Sequence, residues 1–212
     1  MTDELETYDG AQISIVIRQS RCIHSRNCVL DAPSVFVPNA PGAWVHPDNA
    51  PPETVMAVAL NCPSGAIRYR RNDGGAQEKA PEVNTIRIRE NGPLALHAEL
   101  SIAGDRSSYR ATLCRCGASG KKPYCDGSHA QAGFHASGEP TTKESPPADK
   151  RNGLLEVTPT PNGPLMVVGS AEIVSGTGRT VARIEKTYLC RCGASENKPF
   201  CDGSHVKAGF KG

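Results

Sequence analysis

Three cysteines and a histidine fall within the sixteen residues CRCGASGKKPYCDGSH (114–129), and CRCGASENKPFCDGSH (190–205) repeats that stretch with thirteen of sixteen positions unchanged, so one loop was made twice. Cys114, Cys116, Cys125 and His129 form a C-x-C-x8-C-x3-H set, and Cys190, Cys192, Cys201 and His205 form its twin. Thiolates and imidazole are soft donors that suit zinc or an iron–sulfur centre. The single-residue gap of C-x-C is tighter than the gap of zinc knuckles and lets two thiolates share one iron, leaving the third Cys and the His for a second. A pair of structural zinc sites is the competing reading.

Six ligands taken from nine cysteines leave Cys22, Cys28 and Cys62, again three. They lie in CIHSRNC (22–28) and NCPSGAI (61–67), a C-x5-C followed at a distance by Cys-Pro. Bacterial ferredoxins use C-x2-C-x2-C with a remote Cys-Pro, and Ser25 stands here at the middle position. Three thiolates are the donor set of a [3Fe-4S] centre. A [4Fe-4S] centre needs a fourth donor from His24, Ser25 or water, and free thiols or a zinc site remain the alternative. His46, His97 and His135 read as ordinary histidines, and Trp44 as core.

The elements that position these loops follow from periodicity. ISIVI (13–17) reads as a strand and PPETVMAVALNC (51–62) as a helix entered through proline. AIRYR (66–70) reads as a closing strand, which gives an α+β unit over 13–71. The Gly-rich, polar stretch 72–81 reads as a linker. A second module, 82–137, alternates through TIRIRE, LALHAEL and YRATL into the first Cys loop; a third, 152–212, repeats it, with NGPL at 91–94 and 162–165 and AGF at 132–134 and 208–210. Between them, 138–151 has the proline and charge of a segment with nothing to bury. Two copies of this kind can pack as a pseudo-dimer within one chain. Asp126 is placed as a helix N-cap and Gly133 as its stop, with Tyr124 and Phe200 packed over the metal.

Both loops resemble the CDGSH (NEET) iron–sulfur family, whose pattern C-x-C-x2-S/T-x3-P-x-C-D-G-S/A/T-H is met through Ser119, Pro123 and 126–129, and again through Ser195, Pro199 and 202–205. The resemblance implies a [2Fe-2S] cluster on each Cys3His set beneath a β-rich cap. Residues 13–70, with Trp44–Pro47 and CPSGAI, resemble the divergent single-cluster ferredoxin domains found beside CDGSH modules, which implies [4Fe-4S] where the ligand count implies [3Fe-4S]. The overall expectation is an α+β chain of one ferredoxin-like domain and two CDGSH modules. Replacing one thiolate by imidazole removes a negative charge, which raises the reduction potential above all-Cys ligation. Acid competes with iron for that imidazole.

Bulk properties close off other classes. Hydrophobic residues make up only 38% of the chain, thin for three small cores, so metal centres are expected to supplement burial. A net charge of +2 leaves no footprint for nucleic acid, and the longest clean apolar run, 55–60, cannot cross a bilayer. An odd cysteine count and an acidic, signal-free opening point to a reducing cytoplasm. No nucleotide loop or nucleophile–base pair points to catalysis, so the expected role is non-enzymatic: electron transfer, or storage and delivery of labile clusters, or redox and pH sensing. The expected partner is a redox protein or an apo-acceptor of clusters. Arg115, Lys121, Lys122, Arg191 and Lys198 either balance cluster charge, dock an acidic partner or stay solvated.

Overall fold

The computed structural model describes residues 5–212, in a first unit that ends at Lys79 and a second that runs from Ala80 to Gly212. In the first, strands β1 (Leu5–Tyr8), β2 (Ile13–Arg18) and β3 (Ile67–Arg71) make an antiparallel sheet in that order. The alternation of Ile13, Ile15 and Ile17 puts all three on the core, where Val35, Phe36, Val55 and Ile67 meet them. A short helix α1 (Asn27–Asp31) carries Cys28, and α2 (Pro52–Leu60) starts with proline at its first turn, where the missing N–H is no loss, and buries Val55, Val58 and Ala59. Trp44 packs beside Phe36 and edge-on to Tyr8, with ring centroids 6.1 and 6.4 Å away.

The second unit holds β4 (Thr85–Ile88), β5 (Leu94–His97), β6 (Glu99–Ile102), β7 (Arg110–Leu113), the one-turn helix α3 (Ser128–Gln131), β8 (Leu154–Pro159), β9 (Leu165–Val174), β10 (Thr180–Leu189) and the one-turn helix α4 (Ser204–Lys207). The seven strands form a single sheet, in the order β6-β8-β9-β4-β5-β7 with β10 also on β9. Strands of the first copy pair with strands of the second: β4 runs parallel to β9 and β6 parallel to β8. Long β9 serves two neighbours on its other edge by bending at Gly169. Its 165–168 half pairs with β8 and its 172–174 half with β4, and at φ +123 a Cβ on residue 169 would lie 2.4 Å from the Leu154 carbonyl. One apolar core, with Ile86, Leu96 and Leu113 from one copy and Leu155, Val167 and Leu189 from the other, sits on this sheet. The fold class is α+β.

The 138–151 segment differs from the expected free linker, for it lies along β10. The Lys143 amide donates to the Val181 carbonyl at 2.8 Å, the Arg183 amide to the Ser145 hydroxyl at 2.9 Å, and the Arg179 guanidinium to the Pro140 carbonyl at 2.8 Å. A polar, proline-rich stretch has few side chains to bury, yet its backbone covers an edge strand whose own groups need partners. Among the described residues no helix is long and apolar enough to cross a membrane.

Candidate metal centres

Each repeated loop leaves the sheet at a strand end and returns to it. β7 delivers Cys114 and β10 delivers Cys190, both with 1% exposure, and the bridges Leu113 to Tyr124 and Leu189 to Phe200 zip the far side of each loop back onto those strands. Tyr124 and Phe200 thus pack against the core. Ser119 and Ser195 close the turn between: their hydroxyls donate to the carbonyls of Tyr124 and Phe200 at 2.6 and 2.7 Å and accept from the amides of Lys121 and Asn197. The peptide bonds before Pro123 and Pro199 are both cis.

The donors come in pairs. Cys114 and Cys116 sulfurs are 3.7 Å apart and Cys190 and Cys192 sulfurs 3.6 Å, while Cys125 Sγ lies 3.5 Å from His129 Nδ1 and Cys201 Sγ 3.5 Å from His205 Nδ1. Two ligands on one tetrahedral metal, with bonds of about 2.3 Å to sulfur and about 2.1 Å to nitrogen, stand about 3.8 Å (S, S) or about 3.6 Å (S, N) apart. Every pair therefore matches the bite of one metal atom, and two pairs per loop match a binuclear centre. Among the described residues no three such donors converge to hold a single metal ion. Backbone amides of Ala118, Gly127, Ala194 and Gly203 donate to the sulfurs of Cys116, Cys125, Cys192 and Cys201, each at 3.4 Å, which stabilises negative charge there. A hydrogen bond from Cys116 draws the Cys114 thiol down to about 6 against its burial, and the same bond pushes Cys116 up. Burial raises Cys125 to about 11.

The helix that bears each histidine is shorter than the sequence implied. Its N-cap is Gly127, at φ 90, and not Asp126; a four-residue helix also has too few aligned peptides to present a useful dipole. Asp126 acts one position earlier as a clasp, one oxygen accepting from the Ser128 amide and hydroxyl at 3.0 and 2.6 Å, the other from the Gly120 amide at 2.8 Å. Burial would raise this carboxyl, but the Ser128 and Gly120 donors outweigh it and hold the group at about 2. Asp202 does the same with Ser204 and Glu196, and is likewise lowered. Gly133, at φ 59, follows the C-cap as expected.

The two arginines between paired cysteines are clamps and not docking groups. Arg115, 1% exposed, donates through Nε to the Gly92 carbonyl at 2.8 Å and through its terminal nitrogens to the carbonyls of Arg89, Ala136 and Ser137. Arg191, 2% exposed, reaches Gly163, Thr160 and Gly212 in the same way. Each guanidinium also lies over a phenylalanine from the AGF segment, Phe134 at 5.3 Å and Phe210 at 5.2 Å. One side chain thereby ties the NGP turn, the ligand loop and the tail after the histidine helix. Burial lowers Arg115 to about 10, with Glu90, Cys190 and Cys116 opposing, and burial lowers Arg191, with Cys114 opposing. Each cation thus feels a thiol of the other copy. Lys122 and Lys198 fold back onto the carbonyls of Ser119 and Ser195.

The two loops touch. Cys116 and Cys192 form an antiparallel bridge, and a Cβ on Gly117 or Gly193 would lie 2.5 Å from the carbonyl oxygen of the opposite cysteine. Only glycine permits that approach, with φ +84 at both positions. Sequence reasoning missed this contact and the arginine clamps. Their one visible signal was the recurrence of NGP upstream of each C-R-C.

In the first unit, Cys22 follows the turn Gln19–Arg21, Cys28 sits on α1 and Cys62 follows α2. The Asn27 side chain donates to the Asn61 carbonyl at 3.0 Å and Asn61 to Asp31 at 2.7 Å, which draws the last two cysteines together. All three line one cavity of about 450 Å³, with His24, Ser25 and Trp44 on its wall. Burial raises the Cys28 thiol. Three thiols from three segments around one apolar-walled space suit a compact iron–sulfur cluster.

A family described as "Iron-binding zinc finger CDGSH type" matches residues 79–130 and 162–206, and one described as "Divergent 4Fe-4S mono-cluster" matches 8–72. Two relatives, each an "Uncharacterized protein YjdI" from Escherichia coli, strain K12 and O157:H7, are 38% identical over 64 residues, which is 30% of this chain and 82% of theirs. No solved structure matches.

Proposed function

The chain belongs to the CDGSH iron–sulfur family in tandem form, with a divergent 4Fe-4S mono-cluster domain ahead of the repeat, and from that premise we propose that it is a three-cluster electron carrier. Cys114, Cys116, Cys125 and His129 hold one [2Fe-2S] cluster, Cys190, Cys192, Cys201 and His205 a second, and Cys22, Cys28 and Cys62 anchor a cubane-type third. Such clusters supply one-electron chemistry when bound. The observation that carries the reading is the set of four donor pairs, each spaced for one metal atom, in two loops that meet at Cys116 and Cys192. The residues of the chain then tune the centres: one imidazole for one thiolate and an amide on each of four sulfurs favour a potential above plant-type ferredoxins. The protein has no reaction of its own, works in the cytoplasm as a monomer with an internal pseudo-dimer, and exchanges electrons with a redox partner.

A second reading, storage and transfer of labile clusters to an apo-acceptor, or sensing of redox and pH, is favoured by one feature. His129 and His205 are half-buried on one-turn helices while Cys114 and Cys190 are fully enclosed, so solvent protons reach the imidazole side of each site first. Anaerobic purification with iron, sulfide and zinc analysis, followed by an EPR-monitored redox titration, tests both. Electron transfer requires reversible reduction with the clusters retained. Rapid bleaching in mild acid with cluster appearing on an added apo-ferredoxin supports delivery, and a colourless zinc protein defeats both.

A further inference from the structure

The two repeated loops carry the same ligands, yet their surroundings differ. In the first, Cys125 is 3% exposed and Asp126, Gly127 and Ser128 are half-buried; in the second, Cys201 is half-buried and Asp202 and Gly203 are exposed. The other arm of the loop shows the reverse. Pro199 is buried where Pro123 is half-buried, and beside it the 138–151 segment holds the Lys143 ammonium 3.8 Å from the Phe200 ring centroid. The second site is thus covered on its strand side and open on its histidine side. What stands at that opening also differs between the copies. Helix α4 presents Val206, 74% exposed, directly after the ligand His205, with Lys207 next to it and Lys211 beyond, both exposed. The same positions of the first copy hold Ala130, Gln131 and His135. A lone exposed apolar side chain is ordinary on a protein surface. Val206, however, adjoins a ligand and has cations for neighbours, while the carboxylate before it, Asp202, is occupied by the amides of Ser204 and Glu196. An apolar contact beside positive charge suits a partner whose carboxylates rim an apolar centre.

We infer that the two copies have unequal roles: Val206, Lys207 and Lys211 form the face on which an acidic one-electron redox protein docks, so the second centre is the port and the first lies behind it. The inference rests on the electron-carrier reading and specifies its partner. One electron leaves the reduced partner and one reduces the second centre, and no bond to the partner forms or breaks. The first centre communicates with the port inside the chain, through the loops that meet at Cys116 and Cys192. Positive charge at the opening steers the partner to the histidine side, where the least protein intervenes.

The test uses the full chain, reconstituted anaerobically with iron and sulfide, and a plant-type ferredoxin as the acidic partner. Calorimetry measures binding, and stopped-flow absorbance follows electron transfer from the dithionite-reduced ferredoxin. Val206→Asp with Lys207→Gln, and Ala130→Asp with Gln131→Glu, change charge by the same amount at matching places, and neither pair removes a ligand. The second-copy pair is expected to weaken binding and slow transfer about tenfold or more, and the first-copy pair to change either by less than about twofold. Val206→Ala, which installs the first copy's residue at constant charge, is expected to weaken binding about fivefold. Iron content should match wild type in all three, which separates docking from damage to the site. No binding by wild type, equal effects from both pairs, or no effect from either overturns the port and leaves the electron-carrier reading standing. A wild-type chain that neither ferredoxin nor dithionite reduces reversibly overturns that reading itself.

Discussion

Two side chains in each repeated loop govern what its centre does. The histidine sets charge: His129→Cys with His205→Cys adds one thiolate per cluster, so both potentials should fall by on the order of 100 mV and the clusters should outlast the wild type in mild acid, checked by EPR titration and by the decay of the visible chromophore at pH 5. The arginine sets position. Arg115 satisfies four carbonyls from two segments, 89–92 and 136–137, and Arg115→Lys keeps the charge while its three ammonium donors leave at least one of those acceptors without a donor. A cost of about 1–3 kcal/mol is expected in denaturant unfolding, with faster loss of cluster from the first loop. The histidines and cysteines were legible in the sequence because a metal demands fixed donor types at fixed spacing. The arginines were visible there only as charges, since nothing in C-R-C tells a solvated guanidinium from one that is buried; carbonyls more than twenty residues away decide that.

Among the elements, the short histidine helices depend on what precedes them. Asp126 is held at about 2 against an ordinary 3.8. The fold favours the ionised form, so its stabilising effect is complete above about pH 4 and is lost as pH falls through 2. Metal-free wild type should therefore lose unfolding midpoint across that window, and Asp126→Asn should start lower and show a flatter pH profile, measured by circular dichroism. The strands of the cap were readable from alternation, although LALHAEL divides at Ala98 into β5 and β6, a corner that apolar periodicity cannot show because Ala98 is itself fully buried. The helix start was misassigned by one residue because Asp and Gly both favour that position, and here the left-handed turn falls on the glycine.

For the molecule as a whole, the deciding fact is that the two copies share one sheet. β4 and β6 find partners on β9 and β8, so a fragment ending near residue 137 would expose two strand edges and half a core. We expect residues 80–137 alone to be unfolded by circular dichroism and proteolysis. Fragments 1–79 and 80–212, each with its own sheet and core, should fold and bind iron separately. The duplication was plain in the sequence, but the interleaving was not, because pairing between distant strands leaves no local periodicity. The segment 138–151 carries a last consequence. It occurs once per chain, and its Lys143 ammonium lies 3.8 Å from the ring centroid of Phe200, the residue before Cys201. A protein assembled from two identical subunits would have to alter both halves with every mutation. Joined in tandem, the halves are released from that bond, and evolution can set one against the other.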